Sequence, residues 1–401
     1  MMLSTTLFLT LPIIASATAP QVTFLPVGAT AHDVSDDGSI VVGTTTSAGF
    51  RWTTDGTYEV ISGPAATAGT NVAIAGDGSD ITADIIDQNG KQHASLWMGG
   101  ANWQQLPAFV SCDAFLLNAY DIDLDGDVIV GLAWVAGCQA HAFRWDPVNG
   151  TIDMGTTVPN RATRANAVND DGTVIAGWQD QANGTRRGCK WIDLVQSYIP
   201  NYVAPGGASH LLGESLGMTG AADIIVGTNV FGLAGGAGWK WTAKTNTTTL
   251  LPQLAGFAGA PVPAAVSEDG SMVVGSTGGN PFLRKAVIWI DGQPQELRSY
   301  IESLGGSIAP YTTLSSANAI TPDGRTIVGS GSGPGTSRSW VITLPGACPT
   351  DLSGDDQTDG KDLGALLLAW GSADSGADLD GNGAVDGADL GLLLLAWGAC
   401  Q

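Results

Sequence analysis

The sequence predicts an all-β fold, a seven-bladed β-propeller of four-stranded blades, followed by a small C-terminal α-helical domain. Three observations carry this expectation. Seven tryptophans, Trp52, Trp97, Trp145, Trp191, Trp241, Trp289 and Trp340, recur at steps of 45 to 51 residues, and a fixed period of that length belongs to chains built from one repeated supersecondary unit. Upstream of each tryptophan stands a turn glycine (Gly38, Gly78, Gly126, Gly172, Gly220, Gly270, Gly324), preceded by Asp in every unit except the fifth, which has Thr219. The last 54 residues, Cys348 to Gln401, abandon the repeat and carry two acidic loops, each running into a short apolar segment.

Each unit begins with a strand whose residue four before the glycine is branched aliphatic, from Val34 and Ile74 through Leu216 to Ile320. The Asp-Gly turn supplies the positive φ of a tight hairpin. A β-rich run follows, such as Ile40 to Gly43, Val128 to Gly131 or Met272 to Gly275. A loop, a third strand ending in Trp, a short turn and a fourth strand complete the unit. Four strands per unit, seven times over, define a propeller. The seventh unit stops at Pro345 without a fourth strand. Val22-Thr-Phe-Leu-Pro26 precedes the first unit as Thr249-Leu-Leu-Pro252 precedes the sixth, so the N-terminal strand is expected to close the last blade. A solenoid is the competing architecture, and the fixed count with a split unit favours a closed ring.

Residues 1–19 read as a secretory signal, with an apolar run from Leu7 to Ile14 and small residues at Ala15, Ala17 and Ala19. That run is too short to span a bilayer. Residues 20–345 form the propeller and 346–401 the C-terminal domain. A secreted protein at the cell surface or beyond, without membrane insertion, is the expected outcome. Five cysteines suit an oxidising compartment. Cys348 and Cys400 bracket the C-terminal domain and are positioned to clasp its ends. Cys112 and Cys138 lie within one repeat and are expected to pair, and Cys189 reads as a small buried apolar residue. The net charge of −22 arises from 38 acidic against 16 basic residues, which makes nucleic acid and anionic membranes poor partners.

The acidic loops specify a chemistry. A 12-residue loop presents oxygens to calcium from positions 1, 3, 5, 7, 9 and 12. The first copy offers Asp351, Ser353, Asp355, the Gln357 carbonyl, Asp359 and Asp362; the second offers Asp378, Asp380, Asn382, the Ala384 carbonyl, Asp386 and Asp389. Two calcium ions are expected. Gly383 occupies the sharp-turn position of the second loop, where the first has Asp356, so the second site should be the tighter. One helix per loop, Asp at position 12 and a tandem spacing of 27 residues resemble a dockerin. Cys348-Pro349 and Trp397-Gly-Ala-Cys400 resemble the GC-type subgroup. The resemblance covers about an eighth of the chain and implies a cohesin-like partner. It assigns partner selection to loop positions 10 and 11, here Gly360, Lys361, Gly387 and Ala388 in place of a frequent Ser-Thr pair.

His141-Ala-Phe-Arg-Trp145, with Gly49-Phe-Arg-Trp52 and Gly188-Cys-Lys-Trp191, resembles the extracellular HAF-repeat family, which implies no settled activity. The bases before the repeat tryptophans, Arg51, Arg144, Lys190 and Lys240, are expected to pair with the turn aspartates. Innermost strands line a propeller's channel. Counting back from the turn glycines places Asp33, Asp121 and Glu214 there, the candidate carboxylates for glycoside hydrolysis, which needs two such groups. They belong to blades one, three and five. No Ser-His-Asp spacing, metal-binding His pair or phosphate loop is visible. The expected function is a non-catalytic binding or scaffolding body, held by its calcium-dependent module to a cohesin-like partner. The alternatives are a polysaccharide hydrolase or lyase, and a cell-surface structural protein. Trp103, Trp134 and Trp178 would mark sugar stacking if they share an exposed face.

Overall fold

A computed structural model of the chain describes residues 19–45, 48–61, 67–87, 89–99, 103–110, 112, 116–233, 236–333, 336–345, 350–353, 357–372, 377–380 and 382–399. Residues 1–18, most of the expected signal segment 1–19, together with Cys348, Asp355, Asp356 and Cys400, therefore lie outside the described residues, and with them the expected Cys348–Cys400 bridge. Two compact units emerge, Gln21–Leu344 and one containing the C-terminal segment from Pro345.

The first unit is a seven-bladed propeller of seven four-stranded antiparallel sheets. Blade one, for example, consists of Thr30–Val34, Ile40–Thr44, Gly49–Thr53 and Tyr58–Ile61 in sequential order. Blade seven takes three strands from the end of the unit, Thr313–Ile320, Thr326–Gly333 and Thr336–Thr343, and its outermost strand from the beginning, Gln21–Phe24. Gln21 pairs with Thr343 and Phe24 with Trp340, and the Phe24 ring stacks on Tyr311 at 4.6 Å. The ring is closed by this pairing.

The repeat tryptophans are all buried, none more than 8% exposed. Apolar clusters lie at the seams between blades: Val42 and Ile61 of blade one pack with Ile74, Ile81, Ile85 and Trp97 of blade two. The helix α1, Leu297–Ser303, joins blades six and seven and buries Leu297 and Ile301. In six hairpins the turn glycine adopts φ between 68° and 82°. The preceding aspartate is fixed by the backbone: Asp37 accepts the Ser39 N–H at 2.8 Å and Asp323 accepts that of Arg325 at 2.9 Å. The expected pairing of the turn aspartates with the bases before the tryptophans is mostly replaced by this local bond, although Lys240 Nζ does reach the Gly270 carbonyl of the next blade at 2.8 Å.

The fifth hairpin corrects the sequence alignment by two residues. Ala222, not Gly220, takes the left-handed position (φ 56°), and its N–H bonds to the Thr219 carbonyl as that of Gly38 bonds to Ser35. Gly220 thus occupies the slot of Asp36, and Glu214 falls two residues outside the channel-lining register. Cys112 and Cys138 form a disulfide, and Cys189 is buried with its thiol pushed up by burial.

In the second unit, α2 (Gly360–Leu368) and α3 (Gly387–Leu395) follow the two acidic loops. Leu366, Ala377, Val385 and Leu393 form its core. The halves are joined reciprocally: Thr358 of the first loop pairs with Gly398 beyond α3, and Val385 of the second loop exchanges backbone hydrogen bonds with Gly371 and Ser372 beyond α2. No helix among the described residues is long and apolar enough to cross a membrane.

Candidate functional site

A β-bulge shapes the channel. In blade one the register slips between Ala31 and Asp33, leaving His32 unpaired; the same slip leaves Tyr120, Asn166, Leu216, Ala264 and Asn318 unpaired in blades three to seven. Bulges re-aim side chains, and all six residues line the central cavity of about 280 Å³. The bulge explains a glycine of the repeat. A Cβ on Gly43, Gly131 or Gly177 would lie 2.0 Å from the carbonyl oxygen of Thr30, Asn118 or Arg164, and on Gly227, Gly275 or Gly329 it would lie 2.1 Å from its counterpart. Blade two has Ala83 at this position, and there Val72 and Ala73 pair in unbroken register with Ala83 and Thr82.

Asp33 and Asp121 do line the channel. Each reaches across a seam: Asp33 Oδ2 accepts the Ile74 N–H at 3.0 Å, and Asp121 Oδ2 accepts the Val168 N–H at 2.8 Å. Burial raises the Asp33 carboxyl to about 6 and Asp121 well above the usual range. Their identical bonding makes them seam links between successive blades. Sequence reasoning missed a third link, Asp84, which is fully buried and accepts the Ala119 N–H at 3.0 Å, Asn118 Nδ2 at 2.9 Å and Gln92 Nε2 at 2.9 Å. Burial raises it to about 7.

The position two before each turn glycine was also missed. It contributes Asp36, Asp170 and Glu268 to the cavity lining. Burial and then the charges of Asp170 and Glu268 push Asp36 up to about 6. The signal was a constant repeat offset, obscured by Gly76, Leu124, Gly220 and Pro322 in the other blades.

Glu214 is not brought to Asp33 and Asp121. It lines a separate cavity with Arg186, Asn229 and Phe231 and pairs with Arg186 at 2.7 Å and Arg164 at 3.4 Å. The three carboxylates therefore form no common site. Trp178, expected as an exposed sugar platform, is 3% exposed beneath the guanidinium groups of Arg186 and Arg164, at 4.2 and 5.2 Å from its ring centroid.

In the C-terminal unit, the carboxylate oxygens of Asp378, Asp380 and Asp389 lie within 4.8 Å of one another. Asp389 is buried at the third position of α3, where Oδ2 accepts the Asp386 N–H at 2.6 Å and Oδ1 that of Leu379 at 2.7 Å. Asp362 does the same in the first loop, accepting from Asp359 and Ser353, both at 2.7 Å. Asp359 and Asp386 complete a capping box at each helix start. Hard carboxylate oxygens at this separation fit an ion with ligand distances of about 2.3–2.6 Å.

No protein-family model matches the chain, and no curated protein matches it. Among solved structures, it resembles an oligogalacturonate lyase from Vibrio parahaemolyticus at 8% identity, covering 82% of this chain and 98% of that one with a TM-score of 0.53. The β-propeller domain of the trilobed protease from Pyrococcus furiosus, described as having an open velcro topology, aligns at 8% identity over 79% and 95% with a TM-score of 0.52. A TolB from Acinetobacter baumannii aligns at 15% identity and a TM-score of 0.38 over 66% of this chain, which spans 52% of that one. The likeness to the lyase and to the protease domain establishes the propeller fold alone.

Proposed function

We propose that this is a secreted, anchored binding body: a propeller that engages a ligand, held by a calcium-dependent dockerin-like module to a cohesin-like partner. The observation that carries the reading is the duplicated acidic loop. Position-12 aspartates Asp362 and Asp389 are both fully buried at helix starts, and Asp378 and Asp380 converge on the second. Calcium would draw the loop oxygens together and fix the two helices in register. A partner surface is available on them. Leu367 and Leu368 of α2, and Leu394 and Leu395 of α3, are 52–91% exposed, and Trp370 and Trp397 just beyond each helix are 47% and 49% exposed. Exposed apolar side chains in this density mark interaction sites. Gly360, Lys361, Gly387 and Ala388 stand in the first turns of these helices, where partner choice would be made.

The test uses the full chain, stripped of metal and titrated with calcium. Helicity and melting temperature should rise together, because an ion that binds only the folded module stabilises it, and a cohesin-type domain should be retained only with calcium present. A chain indifferent to calcium in both measurements ends the attachment reading.

A further inference from the structure

Basic residues are scarce in this chain, yet four of its arginines cluster here: Arg161 just before blade four, and Arg164, Arg186 and Arg187 within it. Arg164 and Arg186 converge on the single carboxylate of Glu214, at 3.4 and 2.7 Å. A structural ion pair needs one guanidinium per carboxylate. Asp180, 3.8 Å from Arg186, is the second acid here, so Arg164 and Arg186 are balanced by Glu214 and Asp180, and it is Arg161 and Arg187 that leave this arginine cluster richer in cations than in paired carboxylates on a protein of net charge −22.

The two guanidinium groups open onto different spaces. Arg164 lines the channel end, a cavity of about 310 Å³. Arg186, whose side chain is 47% exposed, lines a cleft of about 570 Å³ together with Glu214, Asn229 and Phe231. That volume lies in the range of small-molecule and sugar sites. The cleft combines a cationic fork, a carboxylate and an amide that bond hydroxyls, and an aromatic ring at one side. The Trp178 ring lies under both guanidinium groups, 4.2 Å from that of Arg186 and 5.2 Å from that of Arg164, and its buried Nε1 has no hydrogen-bond partner.

We propose that this rim of blades four and five binds a carboxylate-bearing sugar, a uronate unit of an acidic oligosaccharide. The uronate carboxylate meets the Arg186 fork, the geometry guanidinium groups bind best. Ring hydroxyls bond Glu214 and Asn229, and the apolar sugar face lies against Phe231. A simple inorganic anion would use the arginine and leave the rest of the cleft unfilled. The assignment deepens the binding-body reading and rests on it.

The test is calorimetric titration of the full chain, in calcium, with trigalacturonate, its methyl ester and a neutral galactose trisaccharide. The acid form should bind, the ester and neutral sugar should bind roughly tenfold or more weakly, as expected for losing a charge-assisted hydrogen bond, and salt should weaken the acid form alone. Arg186→Gln should abolish the preference, with Arg186→Lys restoring it in part. Phe231→Ala, which leaves every ion pair intact, should weaken all binding and serves if the arginine variants melt early. Equal binding of acid and ester, or indifference to Arg186→Gln, overturns the uronate assignment and leaves the binding body standing. Silence with all three sugars overturns the assignment, and silence across a wider glycan panel removes sugar binding from the function itself.

Discussion

The carboxylate of Asp84 in blade two accepts the backbone N–H of Ala119 in blade three at 3.0 Å, entirely out of contact with water. It belongs to a series: Asp33 links blades one and two, Asp121 links three and four, and Asn318 of blade seven donates to the Ala31 carbonyl of blade one at 2.7 Å. Apolar packing holds neighbouring blades together, and these polar links fix their register.

A stability profile tilted toward acid follows. Burial raises Asp33 and Asp36 to about 6 and Asp84 to about 7, from an ordinary 3.8. Between the unfolded and folded values the folded state binds more protons than the unfolded one, so stability falls as pH rises. The melting temperature of the propeller should therefore be higher at pH 5 than at pH 8. Asp84→Asn should flatten the slope while lowering stability throughout, because its NH₂ would face the Gln92 and Asn118 donors that Oδ2 now accepts. A melting temperature that climbs from pH 5 to pH 8 refutes this account.

The bulge glycines should tolerate no side chain. Gly131→Ala places a methyl group 2.0 Å from the Asn118 carbonyl oxygen and should cost on the order of 3 kcal/mol by overpacking against backbone. Ala83→Gly in blade two, where Val72 to Ile74 pair in unbroken register with Ala83 to Ile81, should cost only about 1 kcal/mol, the entropic penalty of glycine in a strand. Denaturant unfolding of the two variants tests the contrast, and equal losses would sever the link between glycine and bulge.

Ring closure depends on Ser339. Its buried Oγ accepts the Ala31 N–H at 2.6 Å and donates to the Ala29 carbonyl at 2.9 Å, joining blade seven to the entry of blade one. Ser339→Ala leaves two buried backbone groups unpaired and should cost roughly 2–4 kcal/mol. Thermal unfolding with an unchanged midpoint would show that the seam does not need this bond.

Calcium affinity should be unequal between the loops. Asp378→Asn removes a carboxylate from the convergent set with Asp380 and Asp389 and should weaken calcium binding by about tenfold or more, since ligand charge tunes affinity in such loops. Ser353→Ala in the first loop should matter less. Titration of both variants against the unaltered chain decides it, and a larger loss from Ser353→Ala reverses the ranking.

The repeat was legible because the same local requirement recurs in most blades. Asp37, Asp77, Asp171, Asp269 and Asp323 each accept the N–H two residues on, and the turn glycine that follows takes a positive φ. The fifth hairpin escaped because Ala222 adopts that conformation without being glycine, so a glycine two residues earlier was counted in its place. That slip put Glu214 in the channel on paper, whereas its side chain pairs with Arg164 and Arg186 outside it. The bulge glycines were visible as a motif, but their cause was a close approach between strands that no local pattern expresses.

By itself the sequence determined the seven-fold repeat, the split blade that closes it, the Cys112–Cys138 pair and the acidic loop spacing, because each depends on short-range conformation or on a periodic count. Only the tertiary structure decided which polar groups share a space. Asp33 and Asp121 became seam links, Asp84 joined them, and four scattered residues, Tyr120, Arg164, Trp178 and Glu214, became neighbours. Blade stacking brings together side chains tens of residues apart, and their contacts depend on where bulges turn each strand, which is fixed only once the ring is assembled.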